Sequence, residues 1–147
     1  MNFEELLKQA SAESGLPFEP RNGACGVEAD GVTLILQDAG DLLLMHTDLG
    51  ALPSARQAHF TAAALEANFM YQGTGGSTLA INPGDGHLIL QRYNYLERLD
   101  CAGFLNGLSR FVHTAKYWRQ LLEDAAQSER GENAQDSQDL MSTGLML

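Results

Sequence analysis

Apolar residues recur at intervals of four and three at Phe104, Leu108, Phe111, Ala115, Trp118 and Leu122. With about 3.6 residues per turn, this spacing puts all of them on one face of a helix spanning Leu99 to Leu122. Leu105, Val112 and Leu121 widen the face, and Asn106, Ser109, Arg110, Lys116, Arg119 and Gln120 occupy the other side. Asp100 is a suitable N-cap, because its carboxylate can accept from the free N–H groups of the first turn. A face this wide is expected to pack on a sheet or on another helix. Phe3, Leu6, Leu7 and Ala10 follow the same period and predict a first helix ending near Gly15, with Asn2 as its cap. Leu16-Pro17-Phe18 and Pro20 cannot continue it and predict an extended connection.

A different period follows. Cys25 to Ala29, Val32 to Gln37 and Leu42 to Thr47 read as three strands of an antiparallel meander, with Asp30-Gly31 as a tight hairpin turn. Val32, Leu34 and Leu36 face one way and Thr33 and Ile35 the other. Leu42 and Leu44 oppose Leu43 and Met45. An antiparallel sheet with one wet face alternates apolar and polar positions. Here both faces carry apolar side chains, so either both are covered or one is a binding surface.

Pro53 to Tyr71 reads as a second helix, with Ala58, Ala62, Leu65 and Phe69 in one alanine-rich stripe. A glycine-rich turn at Gly73 to Gly76 leads to a strand at Ser77 to Asn82. Pro83-Gly84-Asp85-Gly86 then turns the chain into a paired strand at His87 to Tyr93. The expected fold is α+β, in the order α-β-β-β-α-β-β-α, occupying residues 1–127. Residues 128–147 are polar and acidic without periodicity, and predict a disordered tail. Its final apolar residues, Leu140, Met141, Leu145, Met146 and Leu147, are candidates for docking on the body.

Charge narrows the partners. The chain has 9 basic and 19 acidic residues, for a net charge of −10. Such a surface repels phosphate backbones, which argues against nucleic acid. The absence of a basic cluster argues against an anionic membrane surface, and no stretch has the roughly 18 apolar residues of a membrane span. The N-terminus lacks a secretory signal pattern, so a cytoplasmic location is expected. Cys25 and Cys101 lack metal or redox spacing and read as small buried hydrophobes. His46, His59, His87 and His113 are scattered without a partner at metal-ligand spacing. The Gly73-Thr74-Gly75-Gly76 turn lacks the lysine of a phosphate loop. Asp38 with Asp41, and Asp85 with Glu97, lie in turns and read as solvated acids. No enzyme, cofactor or metal is therefore expected.

The order of these elements, and the runs VTLIL, LLLMHTDLG and LEANFMYQGTGGSTLAINPGDGHLILQ followed by the helix with Phe111-Val112, Ala115 and Trp118, resemble class I type III secretion chaperones of the Tir-chaperone (CesT) family. The resemblance covers about residues 1–125; the tail has no counterpart in it. It implies an acidic bacterial cytosolic homodimer that binds the N-terminal segment of a secreted effector in non-globular form, without a cofactor. It also implies an effector groove from the first helix and first three strands, with Phe3, Leu7, Leu16, Phe18, Val32, Leu34, Leu36, Leu42 and Leu44 as candidates. The second helix and the strands after it would form the dimer interface through Ala62, Phe69, Leu79, Ile81, Leu88 and Leu90. The tail could contact a component of the secretion apparatus. An alternative use of the same fold is a regulatory module that sequesters a regulator of the secretion system rather than escorting cargo.

Overall fold

The computed structural model describes the backbone of residues 1–145, with side chains described through residue 131 and at residue 135. Three helices, α1 (Phe3–Ser14), α2 (Gln57–Asn68) and α3 (Cys101–Leu145), accompany β1 (Ala24–Ala29), β2 (Val32–Ala39), β3 (Leu42–Ala51), β4 (Thr78–Ile81) and β5 (His87–Tyr95). The strands form one five-stranded sheet in the order β1-β2-β3-β5-β4. Every pairing is antiparallel. The α+β class and the element order agree with the pattern of the sequence.

Local chemistry sets the element ends. Asn2 Oδ1 accepts from the Glu5 N–H at 2.9 Å while the Glu5 carboxylate accepts from the Asn2 N–H, which is a complete capping box. Gly15 closes α1 in the left-handed conformation, at φ 77°. Asp100 Oδ1 accepts from the Gly103 N–H at 2.7 Å and caps α3. The hairpin between β1 and β2 turns at Asp30 and Gly31, both with positive φ, as a tight two-residue turn requires.

One face of the sheet is covered. Val32, Leu34 and Leu36 of β2, Leu43, Met45 and Leu49 of β3, and Leu88 and Leu90 of β5 are all buried. They belong to one hydrophobic cluster with Phe3, Leu6 and Leu7 of α1 and with Phe104, Leu108, Phe111, Ala115, Trp118 and Leu122 of α3. Each large side chain so buried contributes about 1.5–3 kcal/mol. The face of α3 read from the sequence is therefore the core face.

Two expectations differ from the structure. The single helix expected from Pro53 to Tyr71 is three pieces: a 3-10 turn at Ser54–Arg56, then α2, then a 3-10 turn at Phe69–Tyr71. Met70 and Tyr71 have positive φ, so the α-helix cannot continue through them. The tail expected to be disordered from residue 128 is instead helical, because α3 runs on to Leu145. Nucleation is the costly step of helix formation, and the packed part of α3 supplies it. Extension then costs less per residue, and this stretch contains no proline to break it. Glu129 also holds the beginning of the α2 region. Its Oε1 accepts from the Ser54 hydroxyl at 2.6 Å and from the Ala55 N–H at 3.2 Å. Docking by the last apolar residues concerns side chains outside the described residues.

Candidate protein-binding surfaces

Among the described residues no helix covers the second face of the sheet, since α1 and α3 both pack on the other side. Ile35 (40 % exposed), half-buried Leu42, Leu44, His46 and Ile89, and exposed Gln91, Tyr93 and Tyr95 form this open face. The register aligns them in rows: Leu42 stands opposite Tyr95, Leu44 opposite Tyr93, and His46 opposite Gln91 and Ile35. Tyr93 and Tyr95 meet edge to face at 6.0 Å, and the Arg98 guanidinium lies 5.6 Å from the Tyr95 ring centre. A groove of about 700 Å³ runs over this face, lined by Leu44, His46, Tyr71, Ala80, Ile81, Ile89 and Tyr93 among others. A continuous apolar and aromatic surface of this kind marks a docking site more often than scattered exposed residues do.

The groove ends at a second exposed patch. Leu65, Phe69, Met70 and Tyr71 are 68, 69, 72 and 58 % exposed. The stripe of Ala58, Ala62, Leu65 and Phe69 therefore points outward, and α2 packs inward through Phe60 and Ala64 instead. Asn68 explains how the patch is held. Its Oδ1 accepts from the Leu79 N–H at 2.8 Å and its Nδ2 donates to the Leu79 carbonyl at 3.0 Å, so it occupies the outer edge of β4 as a strand would. Trp118 Nε1 donates to the Gly73 carbonyl at 3.0 Å and fastens the following turn to α3. A Cβ at Gly73 would stand 2.6 Å from the Ala67 Cβ, and one at Gly75 would stand 2.7 Å from Thr114 Oγ1. Gly73 and Gly75 are there for close packing.

A third surface lies at the other end of the sheet. Leu16, Ala29, Leu105, Leu108 and Val112 line a groove of about 490 Å³ beside edge strand β1. Lys116 Nζ and Asp30 Oδ2 pair at 2.7 Å on its rim.

The residues named from the sequence divide between core and surface. Of the candidates for the effector groove, Phe3, Leu7, Phe18, Val32, Leu34 and Leu36 lie in the core cluster, with their side chains between sheet and helices. Leu16 borders the groove beside β1, and Leu42 and Leu44 stand on the open face. Of the dimer candidates, Leu79, Leu88 and Leu90 are core residues, whereas Ala62, Phe69 and Ile81 are exposed. Sequence reasoning missed Tyr71, Ile89, Tyr93 and Tyr95. The two-residue period of β5 separates Ile89, Tyr93 and Tyr95 from Leu88 and Leu90, but it does not say which set is covered.

Both cysteines are buried and free. Burial pushes the Cys25 thiol up, and burial with the Glu13 carboxylate pushes the Cys101 thiol up, so neither is an activated nucleophile. His87 Nδ1 lies 2.9 Å from Asp48 Oδ2 and 3.7 Å from Asp85 Oδ2. The hydrogen bond to Asp48, with the added charge of Asp85, raises the His87 pKa. Among the described residues, these are the only group of three side chains with donor atoms close enough to share a metal ion. The histidine–aspartate hydrogen bond accounts for their proximity. No helix among the described residues is long and apolar enough to cross a membrane.

The model of the Tir chaperone protein (CesT) family matches residues 5–119 of this chain. Solved structures share the fold. The HopA1–SchA chaperone–effector complex contains a chain with TM-score 0.65 at 19 % identity, covering 80 % of this chain and 93 % of that one. For the ExsC–ExsE complex the values are 0.67 and 17 %, covering 83 % and 97 %. For the ExoT–SpcS complex from Pseudomonas aeruginosa they are 0.62 and 23 %, covering 80 % and 98 %. No curated protein sequence matches.

Proposed function

The chain belongs to the Tir chaperone protein (CesT) family, and from that membership we propose that it is a cytoplasmic chaperone for a type III secreted effector. It binds the N-terminal segment of that effector in an extended, non-globular form and keeps it soluble for delivery. The observation that carries this reading is the family match over residues 5–119, most of the globular body. The open sheet face supports it. An extended segment can lay apolar side chains against Leu42, Leu44, Ile35 and Tyr93, and can use the groove beside Leu16 and edge strand β1. Strand addition and side-chain pockets are the usual means by which a sheet protein captures a peptide. The high negative charge keeps such an apolar surface soluble. Binding needs no reactive group, in keeping with the buried thiols and the paired His87.

The protein acts as a homodimer in this reading, with Phe69, Ile81, Ala62 and Leu65 at the interface. These residues present apolar surface beside edge strand β4, where a second copy can cover them. Coexpression with the secreted proteins of its host, followed by mass measurement of what copurifies, tests the proposal. One secreted protein bound through its N-terminal segment to a chaperone dimer is the expected result. Leu44→Glu should abolish that capture, and Phe69→Glu should yield monomers. Capture of a cytosolic regulator instead of a secreted protein would overturn the cargo role.

A further inference from the structure

The turn between α2 and β4 carries an unusual set of polar groups. Thr74 and Ser77 are 0 and 1 % exposed, and neither hydroxyl has a hydrogen-bond partner. The same is true of Nη1 of Arg92, which follows Leu88 and Leu90 on the covered side of β5. A Cβ at Gly76 would stand 3.7 Å from that Nη1, and a Cβ at Gly107 of α3 would stand 3.7 Å from the Arg92 Cζ. The guanidinium therefore lies between the turn and α3. Arg110 adjoins the same turn, since a Cβ at Gly75 would be 3.4 Å from its Cγ. Among the described residues, no carboxylate lies within 4.0 Å of either guanidinium. That is unexpected in a chain with 19 acidic and 9 basic residues.

Charge makes the arrangement informative. An arginine does not escape burial by losing its proton, and a buried charge without a partner is strongly unfavourable. Burial and the neighbouring Arg110 both act against the charged form of Arg92. A neutral group could satisfy the hydroxyls but would leave the half-buried Arg92 charge uncompensated, whereas the exposed Arg110 is solvated by water. An anion answers both needs, because its oxygens accept from hydroxyls and guanidinium together. Gly76 and Arg92 both border the groove over the sheet, which puts the guanidinium next to solvent at the turn.

We propose that Thr74, Ser77 and Arg92, with Arg110 adding attraction, form a receptor for one oxyanion group, either a carboxylate or a phosphate. The oxyanion comes either free from solution or on an acidic side chain of a bound polypeptide. The inference is independent of the chaperone reading, since it rests on this turn and the two arginines beside it.

The test is urea denaturation of the full chain in sodium acetate or sodium phosphate, against sodium chloride at matched ionic strength. The midpoint of the native protein should rise with anion concentration and saturate. Arg92→Gln should remove the saturable part and leave only the general salt effect. Thr74→Val, which preserves shape and removes a donor, should weaken saturation and serves as the second variant should Arg92→Gln fail to fold. Comparing the peptide acetyl-Gly-Glu-Gly-amide with its glutamine analogue separates the sources. A response to the glutamate peptide stronger than to equal acetate assigns a side-chain donor; an equal or weaker one assigns a free ion. Identical anion dependence in the native protein, Arg92→Gln and Thr74→Val would overturn the proposal.

Discussion

The two faces of the sheet are built from the same strands and nearly the same residue types, yet they have opposite fates. Leu34 and Leu36 are completely buried, while Ile35 between them is 40 % exposed. Leu43 and Met45 are core, while Leu42 and Leu44 beside them are only half-buried. Hydrophobicity does not distinguish the two sets. The difference is that α1 and α3 lie on one side and, among the described residues, no helix lies on the other. The covered face thus holds the fold together, and the open face keeps its apolar surface available for another chain. Stability should therefore be concentrated on one side of the sheet and binding on the other.

The sharpest way to break this comparison is at Trp118, which is 4 % exposed and bonded to the turn beneath α2. Trp118→Ala should destabilise the fold by about 3–5 kcal/mol through the cavity it leaves, read as a fall in the urea midpoint. An unchanged midpoint would place this side chain outside the core. Gly75→Ala comes next, because its Cβ would collide with Thr114 in a backbone conformation at φ 60°. We expect a loss of about 1–3 kcal/mol. A neutral result would mean that the turn is free to shift.

Glu129→Ala tests whether the extension of α3 belongs to the body. It removes the acceptor for Ser54 and Ala55, and a loss of about 1 kcal/mol or less is expected, as for a helix cap. Truncation after residue 127 should reproduce that loss. On the open face the expectation reverses. Leu44→Glu should change stability by no more than about 0.5 kcal/mol while removing partner capture. A large drop in its midpoint would show that this face, too, is structural.

The smallest effect belongs to His87 and Asp48 on the open face. Their hydrogen bond raises the histidine above its ordinary value of 6.5. Its stabilising effect is full below that value and disappears as pH rises through the folded-state pKa. Asp48→Asn should lower the urea midpoint slightly at about pH 5.5 and not at about pH 9. An equal penalty at both would assign Asp48 a role that does not depend on histidine charge.

The sequence by itself determined what depends on neighbours along the chain. The period of α3 identified its core face from Phe104 to Leu122, and Asn2, Gly15 and Asp100 marked helix ends, because caps and periodicity are local. Asp30-Gly31 placed the first hairpin for the same reason. Only the tertiary structure decided which side of the sheet is covered. A two-residue period sorts side chains into two sets without saying where a helix distant in sequence will pack, so Leu34 and Leu44 read alike. It also decided that the stripe with Leu65 and Phe69 faces outward, since Asn68 ties the end of α2 to the edge of β4. The polar stretch beyond residue 127 extends a helix already nucleated by packing, a consequence of cooperativity that composition alone does not reveal.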